Sequence, residues 1–493
     1  MKTKNLHHIA LLFITLVMAS TNAIAQVGIG TANPDPSALM DMQSHSKGLL
    51  APRMTTLERN AIANPAESLL VYDTDEKAFF YYNSTTSAWV MLANDNSVKR
   101  NNYKLIKSEA DLSDELTAGG GSKYLLDSST LYEVNGTILL AYPIELNDAY
   151  LIGADTNEDK LIKTTTSPLF TGGTGGTVKH LTLSNNGGSI FNLTGTGTQN
   201  LFIRTVVIAN SASVGSIEKY DFALLTFVTY TGNTSGITFT DINHLLLSDN
   251  GWLNTNSGTY ETYLGTFTFI GNQGGFMAVD GTAIGIDVSG NPAVATGVIS
   301  GISFSGSSTQ YIKKYTIGSY PNYNFTKEWT VNCPGIKTES DEYASANIYF
   351  SGGITTGFVQ EVSDNNEFNL MGGTSSPNNT TAVNMLRATS AENNRITYTG
   401  KKTRTFQVNA ALSVRGNAGV GDFYAFFIEK NGVTTLIETN SLMRVNSTSD
   451  ISSLAITGTV ELAPNDYIEI WGQRLTGSTT YNITVFSLNL NIR

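Results

Sequence analysis

The sequence predicts an all-β protein: a right-handed parallel β-helix shaft with a small N-terminal α+β module before it and a C-terminal jelly-roll β-sandwich after it. Three observations carry this. Charged residues make up 14% of the chain, against about 25% in ordinary globular proteins, and Gly, Ser, Thr and Asn replace the Glu, Lys, Arg and Ala that build exposed helices. Short apolar runs recur through the middle of the chain with Gly/Asn-rich turns between them. Near the C-terminus the pattern becomes strict period-two alternation.

Residues 1–25 read as an export signal. Lys2 and Lys4 precede the apolar run Ile9 to Ala19, and Ala23-Ile24-Ala25 forms a small-residue cleavage site before Gln26. A membrane span needs roughly 20 apolar residues, and this run ends sooner, in Ser20-Thr21-Asn22. Gln26 leaves no cysteine at the cut to carry a lipid, so a secreted or cell-surface product with no membrane span is expected. Losing Lys2 and Lys4 takes the formal net charge from −11 to −13. Arg204 is the only arginine between residues 101 and 386, so there is no basic stripe for nucleic acid. Cys333 is the only cysteine, which excludes an intrachain disulfide and leaves stability to core burial or association. A chain of 493 residues exceeds one core and implies roughly two to four domains.

Residues 26–97 form the first module. Strands are expected at Leu69 to Tyr72, Phe79 to Tyr82 and Trp89 to Leu92, and Thr55 three residues before Glu58 is a capping box for a short helix to about Ile62. Val27-Gly28-Ile29-Gly30 is no nucleotide loop: no strand precedes it, the third glycine is missing, and Pro34 and Pro36 follow. The order VGIGTANP, ALMDMQ, KGLLAPRMTTLERNAI, SLLVYDTD and YYNSTTSAWVML resembles the base module of phage tail-fibre-like and bacterial surface-fibre proteins. That resemblance implies an anchor or base protein as partner.

Residues 98–330 carry the recurrent apolar runs, among them Thr137 to Ala141, Leu201 to Ile208, Phe222 to Val228 and Leu264 to Ile270. Coils of a parallel β-helix suit this spacing, since each buries its apolar face only against its neighbours. A large β-sandwich presents the same short strands and turns. TILLAYPIELNDAYLIGADTNEDKLI and GTVKHLTLSN resemble early coils of tailspike and pectate-lyase-type β-helices, which favours the β-helix. Residues 331–365, with Pro334, Gly335 and Gly352-Gly353, read as a linker with some strand content.

In residues 366–493, Phe406, Val408, Ala410, Leu412 and Val414 alternate with more polar residues, as do Phe486, Leu488, Leu490 and Ile492. Antiparallel strands of a sandwich or jelly roll follow. RITYTGKKTRTFQVNAALSV, DFYAFFIEKNG, ELAPNDYIEIWGQRLTG and VFSLNLNIR resemble the trimeric C1q/TNF-like jelly roll at the ends of phage fibres, and imply a homotrimer. The strand Asp422 to Lys430 is apolar on both faces. Tyr424, Phe426 and Ile428 are assigned to the trimer interface, because a lone sandwich buries only one face of each strand.

The catalytic inventory is thin. His45, His180 and His244 remain after the leader, and HExxH, CxxC and GxSxG are missing. Cys333 stands beside the turn residues Pro334-Gly335. A glycosidase would need two carboxyl groups about 5 to 10 Å apart, and Glu218, Asp221, Asp241, Asp249, Glu261, Asp280 and Asp287 are the candidates. Asp155, Asn157 and Asp159 have calcium-loop spacing, but Lys160 and Thr166 occupy positions that want glycine and glutamate. No cofactor, metal or catalytic residue is expected. Trp252, Tyr260 and Tyr263 with Glu261, among Asn254 and Asn256, offer stacking faces beside hydrogen-bonding groups and are the candidate glycan site. The same aromatics could instead fill the β-helix interior.

The expected function is that of a secreted trimeric fibre or adhesin, binding a surface glycan or receptor without catalysis. A tailspike-type polysaccharide-degrading enzyme and a purely structural appendage subunit share its architecture. Phage fibres assemble in the cytoplasm, so the export signal favours a bacterial surface or secreted homologue. Mass analysis of protein recovered from the envelope or medium should find Gln26 at its N-terminus. An intact Met1 or Lys2 start contradicts the export reading.

Overall fold

The structure is a computed structural model describing residues 9–10, 26–92, 102–350, 355–363, 365–371, 380–477 and 479–493. The predicted leader, apart from Ile9 and Ala10, lies outside the described residues. The chain divides into two compact units, 1–101 and 102–493.

In the first unit, Val27–Ile29 pairs in parallel with Met40–Met42. Arg53–Met54, Leu70–Asp73, Ala78–Asn83 and Ala88–Met91 form a four-stranded sheet. The expected capping box is present: Thr55 and Glu58 exchange hydrogen bonds at the start of helix Thr56–Asn60. From that helix Arg59 turns inward, pairs with Asp73 at 3.1 Å and lies 3.8 Å from the Phe80 ring centroid.

From Tyr103 the second unit is a parallel β-solenoid. Tyr103–Ile106, Leu131–Val134, Tyr150–Ile152, Gly176–Lys179, Asn200–Ala209, Phe222–Thr231, His244–Ser248, Thr266–Gln273, Ala293–Ser300 and Trp329–Asn332 stack in that order along one sheet. A second sheet of nine strands runs from Tyr124–Leu125 to Ile312–Lys313 among the described residues. The parallel ladder excludes the sandwich alternative for this region. Leu, Ile, Val and aromatic side chains from every coil merge into one continuous core.

Stacking in register repeats each corner from coil to coil. His180, Thr205, Phe227, Asp249, Gly274 and Gly301 follow one another one residue beyond aligned strand positions, and all six have φ between 52° and 69°. Each marks a bend in its coil, which at Thr205 and Phe227 falls within the strands Asn200–Ala209 and Phe222–Thr231. A second column satisfies buried backbone: the Asn185 N–H donates to Ser211 Oγ at 3.0 Å, Ser211 N–H to Asn233 Oδ1 at 3.1 Å, and Asn233 N–H to Asn256 Oδ1 at 3.0 Å.

The sandwich packs two antiparallel sheets around its own core. One contains Ser345–Phe350, Thr380–Leu386, Arg404–Gly416, Ser452–Leu462 and Tyr481–Ile492, and the other Arg395–Tyr398, Phe423–Lys430, Thr434–Arg444 and Tyr467–Arg474. The strand content expected within 331–365 is there as Ser345–Phe350 and Phe358–Val362, but the linker assignment needs correction, because both strands belong to the sandwich and pair with Tyr481–Ile492. Ala346 and Ile348 alternate with Asn347 and Tyr349 there, a two-sided pattern too short to stand out in sequence. Arg387 ties sandwich to solenoid: it pairs with Asp341 at 3.2 Å and donates to the carbonyls of Thr326 and Trp329.

Phe227 is the outlier in the corner column, a bulky residue at φ 54° with 58% of its surface exposed. Left-handed backbone costs a non-glycine residue about 1–2 kcal/mol, while glycine returns some of that through chain entropy. Phe227→Gly should therefore raise stability by about 0.5–1 kcal/mol, read as a higher unfolding midpoint. A lower midpoint would mean the exposed ring makes stabilising contacts.

Candidate functional site

The aromatic cluster expected to bind glycan is inside the solenoid. Trp252, Tyr260, Tyr263 and Glu261 are each no more than 2% exposed. Trp252 is sandwiched between Tyr230, with centroids 3.7 Å apart, and Tyr260 at 4.8 Å. Glu261 accepts hydrogen bonds from Trp252 Nε1 at 3.2 Å, Tyr263 Oη at 2.6 Å and Asn272 Nδ2 at 2.7 Å. A sugar needs a ring face open to solvent, and these faces are occupied by other rings. The cause is register: Trp252 stacks on the inward-facing Tyr230, which fixes its direction.

The other carboxylates weighed as catalytic acids sit in coil corners and edges with structural partners. Asp241 Oδ1 accepts from the Thr266 N–H at 2.9 Å, Asp221 Oδ1 from Asn243 Nδ2 at 2.9 Å, and Asp249 Oδ2 from Ser248 Oγ at 2.8 Å. Asp280 accepts from the N–H and Oγ of Ser307 at 2.7 and 2.9 Å, and these bonds hold its carboxyl below the ordinary range. Asp287 pairs with Lys313 at 2.9 Å and Glu218 with Lys219 at 3.1 Å. Asp159, from the calcium-like string, instead accepts the backbone N–H groups of Gly136, Ala154 and Asp155. Among the described residues no group of three or more His, Cys, Asp or Glu could hold a metal ion. Cys333 is buried, and burial pushes its thiol up. His180 and His244 are exposed.

The proposed trimer residues also face inward. Tyr424, Phe426 and Ile428 belong to the sandwich core at 0% exposure, with Phe426 edge-on to Phe368. The opposite face of the strand carries Phe423, Ala425 and Phe427, of which only Phe423 is exposed. Their assignment to an interface is therefore corrected: parity placed these three on one face, and packing made that face the core.

The outward residues were not singled out from sequence. On the long solenoid sheet Phe202, Leu224, Leu246 and Val298 share a row, with Phe222 and Phe269 in the row beside it, all half-buried. Phe227 and Phe276 are exposed on the coils before and after that of Asp249: Asp249 follows Ser248, which pairs with Thr226, and Phe276 pairs with Gly251. In the first unit Leu39, Leu49, Leu50 and Leu57 are all more than 60% exposed.

Burial pushes the Glu261 carboxyl up from 4.5 to about 7, against the lowering effect of its bonds from Tyr263, Trp252 and Asn272. Tyr263, Tyr230 and Tyr260 are the other titratable groups in this cluster. Below pH 4.5 the folded and unfolded chains both keep the proton. Between 4.5 and 7 only the folded chain does, so stability falls as pH rises through that window, by up to about 3 kcal/mol. Glu261→Gln should remove this loss: the variant's melting temperature relative to wild type should rise from pH 4.5 to pH 7. A difference that stays flat with pH contradicts a protonated interior Glu261.

Residues 28–104 match a family described as phage tail like trimerisation region. No curated protein sequence matches the chain. Among solved structures, tailspike protein 4 of bacteriophage CBA120, an enzymatically active domain, is 11% identical over 89% of this chain and 77% of its own, with a TM-score of 0.19. The Pantoea stewartii glycan biofilm modifying enzyme WceF, with a tailspike-like parallel β-helix fold, is 10% identical over 83% of this chain and 66% of its own, with a TM-score of 0.23. Eiger TNF from S. frugiperda is 11% identical over 30% of this chain and 90% of its own, with a TM-score of 0.21.

Proposed function

We propose that the protein is a secreted, trimeric fibre subunit or adhesin that binds a surface glycan and performs no catalysis. The match of residues 28–104 to a phage-tail-like trimerisation region carries the reading, and the surface of the same segment supports it. Leu50 and Leu57 stand 76% and 81% exposed in the single chain, and each large apolar side chain covered on assembly contributes about 1.5–3 kcal/mol. The half-buried row of Phe202, Leu224, Leu246 and Val298 offers a second apolar strip for neighbouring copies.

On the sandwich the contact face is the outer side of the sheet containing Arg404–Gly416 and Tyr481–Ile492. Asn347, Asn491, Asn409 and Thr457 line up across four of its strands, an uncharged row of the kind found in interface centres. For the ligand, the exposed Phe227 and Phe276 flank the coil that carries exposed Asp249, and stacking faces near an acceptor suit a sugar. Strain held at Phe227 is the mark of a residue kept for something other than stability.

One preparation of the mature chain tests the whole reading. Light scattering should give three times the chain mass, Leu50→Asp with Leu57→Asp should give monomers, and a glycan array should show binding that Phe227→Gly loses. Reducing ends should not accumulate. A folded wild-type monomer at micromolar concentration sinks the assembly half, and sustained reducing-end release sinks the non-catalytic half.

A further inference from the structure

Where the last solenoid coils meet the sandwich, the two surfaces do not close on each other. They leave a chamber of about 1070 Å³ that opens to solvent, just above the usual size of small-molecule sites. Phe267, Val294 and Tyr320 line it from the solenoid, and Met385 and Ala388 from the sandwich. Tyr320 Oη and Thr399 Oγ1 lie 2.8 Å apart across the seam, and beside the chamber Arg387 holds sandwich to solenoid through Asp341, Thr326 and Trp329. The chamber is preformed, which spares a ligand the work of ordering it.

A second cleft of about 300 Å³ adjoins it, and Lys327 and Glu328 line both. The second cleft is rich in charge. Three of its cations are paired: Lys401 with Glu328 at 2.7 Å, Lys402 with Glu342 at 3.0 Å, and Arg387 with Asp341. Lys327, exposed at the wall between the two spaces, takes part in no ion pair among the described residues. One uncompensated cation thus stands at the mouth of an apolar chamber, in a chain whose formal net charge is −11.

We propose that this seam binds an amphiphile with a single anionic head, its apolar body in the chamber and its head against Lys327. An apolar ligand without charge would leave Lys327 unused, and a cationic one would meet it as a like charge. Neither the fibre reading nor the glycan surface at Phe227 is needed for this site.

The full mature chain should be titrated with decanoate and with decylamine by isothermal calorimetry. One decanoate per chain should bind, at least about tenfold more tightly than decylamine. Lys327→Glu should weaken decanoate about tenfold and favour decylamine, while Ala382→Trp, which fills the chamber from the sandwich wall, should abolish both. Ala295→Trp fills it from the solenoid wall and replaces that variant if its melting temperature has dropped. No heat with millimolar decanoate, equal affinity for the two probes, or wild-type decanoate binding in a folded chamber-filled variant overturns the proposal.

Discussion

Everything in the shaft depends on parallel strands stacked in register. Each coil lies about 4.8 Å from the next, so a given position meets the same position above and below and must suit the same surroundings. A polar group that turns inward is affordable only if the next coil supplies its partner, as the Asn185, Ser211, Asn233 and Asn256 column does. A bend that needs left-handed backbone needs it on every coil, whether the residue is Gly274, Asp249, Thr205 or Phe227. The interior pair of Tyr230 and Trp252 follows from the same rule, since flat rings at one register position on successive coils meet face to face, and Tyr260 of the second sheet covers the other face of Trp252.

Glu261 shows the rule under stress. Its carboxyl lies among stacked aromatics with three donors but no cation. Desolvation outweighs those donors and favours the protonated form. The group is therefore tied to shaft stability and pH, and its burial removes it from the acids that could meet a polysaccharide.

The solenoid ends on edges that the sandwich covers, and the join is polar where the interiors on either side are not. Asp341 collects Arg387 and the N–H groups of Lys401 and Lys402, so the contact is held by directed bonds at one edge of the seam. Two surfaces fastened there, each with its own core, do not meet everywhere beside the fastening. The apolar chamber is the result.

Local chemistry was legible in the sequence because it acts over a few residues. Thr55 and Glu58 cap a helix by direct reach, and the alternation from Phe406 to Val414 sets which side chains share a face. Spacing and resemblance together carried the parallel β-helix, and composition carried the all-β class. Which of two possible faces becomes interior was a tertiary decision. Tyr424, Phe426 and Ile428 were separated from Phe423 by parity alone, and only the opposing sheet made theirs the core. Trp252, Tyr260 and Tyr263 turned inward, where neighbouring side chains of the solenoid offer them aromatic partners. The sequence by itself determined strands, turns and the period of their faces, since those follow from bonds between near neighbours. The tertiary structure decided which face meets water, because that depends on residues tens of positions apart.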